Sequence, residues 1–128
     1  MPTVLVVDDS PLDRQLIGEL LAEDAGLRVQ YAVNGAAALL AMAQGLPDVV
    51  ATDLLMPELD GLGLVAAVRK LYPLVPVILM TGYGDLMKAN GEMPPHISVI
   101  LSKPFTRVTL RGALVEALAN GNGKSEKP

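Results

Sequence analysis

Three aspartates, a threonine and a lysine in this chain close short apolar runs. Val4-Leu5-Val6-Val7 leads into Asp8-Asp9, and Val49-Val50-Ala51 passes through Thr52 into Asp53. Val77-Ile78-Leu79-Met80 ends at Thr81-Gly82, and Val99-Ile100-Leu101 passes through Ser102 into Lys103-Pro104. If the runs are neighbouring parallel strands, their endings gather at one edge of one sheet. That edge then carries three carboxylates, a hydroxyl and an ammonium. Carboxylate oxygens are the ligands that Mg²⁺ prefers. A carboxylate at Asp53 can attack phosphorus and form a labile acyl phosphate. A hydroxyl at Thr81 can donate to a phosphoryl oxygen, and Gly82 leaves room for that group. The ammonium of Lys103 can pair with Asp53 or with an added phosphoryl group. Taken singly, each residue has an ordinary explanation in a loop, a cap or a solvated surface. Their joint placement is what points to a site. Without a cation, so many acids in one place predict at least one raised carboxyl pKa.

The elements that must position these groups are legible in the pattern. Thr3–Val7 reads as a strand covered on both faces. Ser10-Pro11 offers an N-cap and a proline at the first helical position. Ile17, Leu20 and Leu21 give the helix that follows an apolar stripe, and Gly26 suits its end. The stretch 28–33 alternates polar and apolar residues, as an edge strand does. Asn34-Gly35 opens an Ala/Leu-rich helix to about Gln44, closed by Gly45. Val49–Asp53 is a buried strand, Asp60-Gly61 precedes a helix to about Leu71, and Val77–Thr81 is the fourth strand. The stretch 82–96 is cut by Asn90-Gly91 and Pro94-Pro95, which predicts a short or irregular fourth helix. Ser98–Leu101 is the fifth strand. Thr106 caps a last helix whose Leu110, Ala113, Leu114, Ala117 and Leu118 follow helical spacing. Residues 1–120 form the domain, and 121–128 read as a polar, disordered tail.

Alternating strands and helices predict an α/β fold with a doubly wound parallel sheet. The three fully apolar strands belong in the middle and the other two at the edges, which gives the order 2-1-3-4-5. In such a sheet the functional crevice lies at the carboxyl ends, where the winding direction switches.

Composition narrows the function further. The chain has 128 residues, 51% of them hydrophobic, and a formal net charge of −4. An acidic chain lacks the clustered Lys and Arg that hold phosphate backbones, so no nucleic-acid partner is expected. With no cysteine, neither disulfides nor thiolate chemistry enters. No apolar stretch approaches the roughly 18 residues that span a bilayer, and the N-terminal residues lack the basic region and cleavage site of a secretory signal. A cytoplasmic protein without a membrane partner is the expectation.

With Val-Asp-Asp-Ser (7–10), Asp53-Leu-Leu-Met-Pro-Glu-Leu-Asp-Gly (53–61), Met-Thr-Gly-Tyr-Gly (80–84) and Lys103-Pro104-Phe105 in place, the chain resembles the receiver domain of bacterial two-component response regulators. The resemblance runs from Val4 to about Ala119. It implies a flavodoxin-like fold and a phosphorelay switch. Asp53 would take a phosphoryl group from the phosphohistidine of a histidine kinase or a histidine phosphotransfer protein. Mg²⁺ would be held directly by Asp9, by Asp8 through water, by Asp53, and by the backbone carbonyl of Leu55. Thr81 would be the switch hydroxyl, Lys103 the charge partner, and Lys103–Pro104 a cis bond. Self-dephosphorylation by water attack in the same site also follows, as does a possible downstream protein target. The chain departs from the family at one position. Three residues before the lysine, where Tyr or Phe is usual, stands Ile100, so an aromatic form of the switch is not available. With the irregular 82–96 stretch, this suggests output through a rearranged loop.

Other readings fit less well. An aspartyl-phosphate phosphatase would want an Asp two residues after the nucleophile, where Leu55 stands. A flavin carrier would want a hydroxyl-rich phosphate loop where Asp8-Asp9 repel one. An interaction module independent of phosphorylation leaves the acids, Thr81 and Lys103 unexplained. The chain is read as a free-standing regulator, a receiver excised from a larger one, or the receiver of a hybrid kinase. Tyr83 could overhang the site, His96 reads as exposed, Phe105 as packed under the last helix, and Met80, Met87 and Met93 as packing.

Overall fold

The computed structural model describes residues 2–21, 26–53, 61–82, 97–103 and 105–119. Within them the chain runs β1 (Thr3–Val7), α1 (Pro11–Leu21), β2 (Arg28–Ala32), α2 (Gly35–Gln44), β3 (Val49–Asp53), α3 (Gly61–Leu71), β4 (Val77–Thr81), β5 (Val99–Ser102) and α4 (Arg107–Ala119). The five strands form one sheet of order β2-β1-β3-β4-β5, and every pairing is parallel. This is the doubly wound order expected from the apolar runs. Strand β2 ends one residue earlier than its alternation predicts, and β5 is shifted by one residue, both within the fraying of element ends. The expected short fourth helix, the tail 121–128 and the residues Tyr83, Met87, Met93 and His96 lie outside the described residues.

Alternation along the strands divides the core into two layers. Val4 and Val6 of β1 join Val49, Ala51, Ile78 and Met80 beneath Ile17 and Leu21 of α1 and Leu110, Leu114 and Ala117 of α4. Leu5 and Val7 join Val50 and Val77 on the opposite face, against Ala38 and Met42 of α2 and Leu64 and Val68 of α3. The chain steps from β1 to β2 in one direction and then past β1 to β3 in the other. Right-handed crossovers therefore put α1 and α4 on one face and α2 and α3 on the other. Leu5, Ile17, Leu64 and Ile78 are among the fully buried side chains, each worth about 2 kcal/mol of transfer free energy. Removing water from both faces of the central strands is what fixes the register and, with it, the alignment of their ends.

Helix starts are set by the residues that sequence reading singled out. Asn34 Oδ1 accepts the Ala37 N–H at 2.8 Å and Gly45 N–H closes on Ala41 O at 3.2 Å. Ser10 Oγ accepts the Asp13 N–H at 3.2 Å. Thr106 Oγ1 accepts the Thr109 N–H at 3.2 Å while Thr109 Oγ1 accepts that of Thr106 at 2.9 Å, a reciprocal cap. The turn from α3 to β4 is closed by a cation: Arg69 donates to Pro73 O at 2.6 Å and to Val75 O at 2.8 Å. Phe105 packs against the layer beneath α4, as expected.

Candidate functional site

The register brings the chemistry-bearing residues to one level. Val7 of β1 pairs with Thr52 of β3, Asp53 with Met80 of β4, and Thr81 with Ser102 of β5. Asp8, one residue past Val7, therefore stands level with Asp53. Thr81 stands one residue further along, and Lys103 one beyond that. At about 3.3 Å per residue, all of them fall within about 7 Å along the strand direction. Because the winding reverses between β1 and β3, the two central carboxylates flank the switch point, where an open α/β sheet leaves a crevice.

Asp8 is the most enclosed of the acids, with a side chain that is 0% exposed. Its Oδ1 accepts the Ser10 N–H at 2.9 Å, and its Oδ2 lies 3.4 Å from Lys103 Nζ. The Asp8 backbone is fixed as well. Its N–H donates to Ala32 O at 3.1 Å, and its carbonyl accepts from Arg14 Nη1 at 2.7 Å. Asp53 is 16% exposed, with Oδ1 3.3 Å from Lys103 Nζ. Its carbonyl accepts the hydroxyl of the buried Thr52 at 3.0 Å. Asp9 is exposed, yet carboxylate oxygens of Asp8, Asp9 and Asp53 all lie within 4.8 Å of one another. Thr81 is buried at the end of β4, and its carbonyl accepts the Lys103 N–H at 2.8 Å, which ties the lysine's backbone to that strand. Ile100 is buried in β5 at 3% exposure. Leu55 and Pro104, and with Pro104 the expected cis bond, lie outside the described residues.

Burial pushes the Asp8 carboxyl above its usual range, and the charges of Asp53 and Asp13 add to the rise. The Ser10 N–H and the Lys103 ammonium oppose it without cancelling it. For Lys103, burial favours the neutral form. The hydrogen bond to Asp13 and the charges of Asp8, Asp53 and Asp13 outweigh it, and the ammonium is held above its ordinary pKa. A carboxyl raised by burial and by the charges of neighbouring acids fits a place for a cation, and an all-oxygen donor set suits a hard divalent one. Asp8, Asp9 and Asp53 form a cluster able to hold a metal ion.

The raised Asp8 pKa has a stability consequence. Protonated Asp8 favours the folded state, and that advantage is lost as pH rises through its folded value. In chelator at neutral pH, Asp8→Asn is therefore expected to unfold at higher urea than the wild type. The gain should vanish as pH falls below the ordinary carboxylate range. A destabilised Asp8→Asn at pH 7 would contradict this reading.

Sequence reading did not single out Asp13. It stands in the first turn of α1, and its Oδ2 lies 3.1 Å from Lys103 Nζ, closer than either Asp53 or Asp8. The spacing Ser10…Asp13 signals a local capping motif, and the Ser10 half of that motif forms. The Asp13 carboxylate instead reaches a lysine 90 residues away. Arg14, which clamps the Asp8 carbonyl, carries no sequence signal of that role.

Parallel strand order, acids at the switch point and a lysine just past β5 define an open α/β domain with a site at its strand ends, and comparison with known proteins supplies the family. Residues 4–115 match the family model described as response regulator receiver domain, and the chain belongs to that family. It is 36% identical over 125 residues to the DNA-binding transcriptional regulator NtrC of Escherichia coli K12, covering 98% of this chain and 26% of the relative. Among solved structures, a response regulator receiver domain protein from Clostridium thermocellum is similar with a TM-score of 0.82 at 33% identity, over 93% of this chain and 95% of the other. The signal receiver domain of an HD domain-containing protein from Pseudomonas fluorescens Pf-5 gives a TM-score of 0.85 at 30% identity, over 99% and 93%. The chain spans about a quarter of the length of the NtrC relatives. Among the described residues, no helix is long and apolar enough to cross a membrane.

Proposed function

We propose that this chain is a phosphoacceptor switch in which Asp53 takes a phosphoryl group from the phosphohistidine of a histidine kinase or a histidine phosphotransfer protein. The observation that carries the reading is the convergence of Asp8, Asp9 and Asp53 within 4.8 Å beside the Lys103 ammonium, at the switch point of the sheet. Membership of the receiver family supports it. In the transfer, an Asp53 oxygen attacks phosphorus, the P–N bond breaks, and the imidazole leaves with the electron pair. There is little further bond-making for the protein to do, so its contribution is positioning and charge neutralisation. Lys103, already 3.3 Å from Asp53 Oδ1, pairs with the incoming charge. Thr81 donates its hydroxyl to a phosphoryl oxygen. Asp8, Asp9 and Asp53, with the Leu55 carbonyl, would hold Mg²⁺, which when bound offsets the negative charge of carboxylates and phosphoryl oxygens. The same groups serve slow self-dephosphorylation, in which a water oxygen attacks phosphorus and Asp53 is the leaving group. Ile100, buried where the family usually has an aromatic ring, sends the output through a route that needs no ring rotation. Such a receiver acts within a longer regulator or alone, on a downstream protein partner.

The experiment is intact-mass spectrometry after incubation with a small-molecule phosphodonor and Mg²⁺. The wild type is expected to gain one phosphoryl group, lost on alkaline treatment, and Asp53→Ala to gain none. An unmodified wild type, or an equally modified Asp53→Ala, would contradict the proposal.

A further inference from the structure

Lys103 faces three carboxylates at once, and only two of them belong to the cluster able to hold a cation. Asp8 and Asp53 are in that cluster with Asp9, and Asp13 is not. An ammonium and a divalent ion drawn to the oxygens of Asp8 and Asp53 compete for them and repel each other. Asp13 alone, outside the cluster and 3.1 Å from Nζ, keeps its whole charge for the lysine. Its place is not incidental to the site. The turn that aims the Ser10 N–H at Asp8 Oδ1 also puts Ser10 Oγ on the Asp13 N–H, so one turn sets both acids. Lys103 has three N–H donors, and three carboxylates stand within 3.4 Å of it. Loss of the cluster acids to a cation leaves Asp13 as the anchor of this head group among the described residues.

We propose that Asp13 is a positioning residue that retains the Lys103 ammonium beside Asp53 while a divalent cation occupies the acidic cluster. The lysine charge is thereby kept in place for an arriving phosphoryl group. This rests on the reading of Asp53 as phosphoacceptor. Asp13 is 42% exposed, so water screens the pair and the effect is moderate, about fivefold in rate.

The test uses the full chain as wild type, Asp13→Asn and Asp13→Glu, with two readouts. In the unphosphorylated protein, the Lys103 side-chain ammonium is followed by NMR through a Mg²⁺ titration. In the wild type it stays hydrogen-bonded and slowly exchanging. In Asp13→Asn it behaves so only without Mg²⁺ and passes into fast solvent exchange as the cation binds. The rate of phosphorylation by a small-molecule donor is then measured at saturating Mg²⁺. It is expected to fall about fivefold in Asp13→Asn and to recover in Asp13→Glu. Identical Lys103 responses to Mg²⁺ in wild type and Asp13→Asn would overturn the proposal, as would an Asp13→Asn rate equal to or above the wild-type rate. A wild type that takes no phosphoryl group would overturn the phosphoacceptor reading instead, and the NMR titration would still decide the role of Asp13.

Discussion

Lys103→Ala is expected to phosphorylate about a hundredfold more slowly than the wild type, with Asp53 still the acceptor. Removal of one preorganised charge aimed at a developing anion costs that much in other sites of transition-state stabilisation, and Lys103 is the cation seen 3.3 Å from Asp53. The same substitution strips the partner from Asp8, whose side chain has no exposed surface. Breaking a buried pair by deleting one member leaves an uncompensated charge, so the fold should also lose about 2 kcal/mol in chelator. Mg²⁺ should restore part of that loss, because it supplies positive charge to the same oxygens. Rapid-quench phosphorylation and urea unfolding with and without Mg²⁺ check both halves. A variant that phosphorylates normally would remove Lys103 from the site chemistry.

Asp9→Asn should have a different signature. Asp9 is exposed, so metal-free stability should barely change, as for most surface substitutions. Its oxygen nevertheless belongs to the three-carboxylate cluster. Loss of one anionic ligand from a site whose selectivity rests on ligand charge and number should weaken Mg²⁺ binding about thirtyfold, roughly 2 kcal/mol at 1.4 kcal/mol per tenfold. Calorimetric titration of wild type and variant measures it directly. The contrast with Asp8→Asn is informative: one acid is enclosed and raised by its surroundings, whereas the other is open to solvent. Equal Mg²⁺ affinity in wild type and Asp9→Asn would take Asp9 out of the cation site.

Much of this fold is written locally. Val4–Val7, Val49–Ala51 and Val77–Met80 are apolar without interruption because both faces of each central strand are covered. A run of that kind leaves little choice about which strands lie inside the sheet. The 28–33 alternation placed β2 at an edge, where Arg28, Gln30 and Tyr31 are exposed while Val29 and Ala32 pack into the two core layers. The candidate site was legible to the same depth: once the strands are parallel and in register, Asp8, Asp53, Thr81 and Lys103 have nowhere else to be. The contacts that were not legible cross the chain without leaving a local trace. Asp13 sits in a Ser-x-x-Asp pattern that local capping would account for in the sequence, so nothing nearby reports that its carboxylate reaches Lys103. Arg14 holds a backbone carbonyl, which any residue at position 8 would offer. Strand ends drifted by a residue at β2 and β5 because edge strands have only one neighbour to fix their termini.

A crystal structure of the protein grown with Mg²⁺ and beryllofluoride, a stable mimic of a phosphoryl group on a carboxylate, would show the whole site at once. The expected result is one cation held by oxygens of Asp9 and Asp53, the beryllofluoride bonded to Asp53, and the Lys103 ammonium in contact with a fluorine. A cation bound elsewhere, or Asp53 left bare with the mimic on another side chain, would contradict the account.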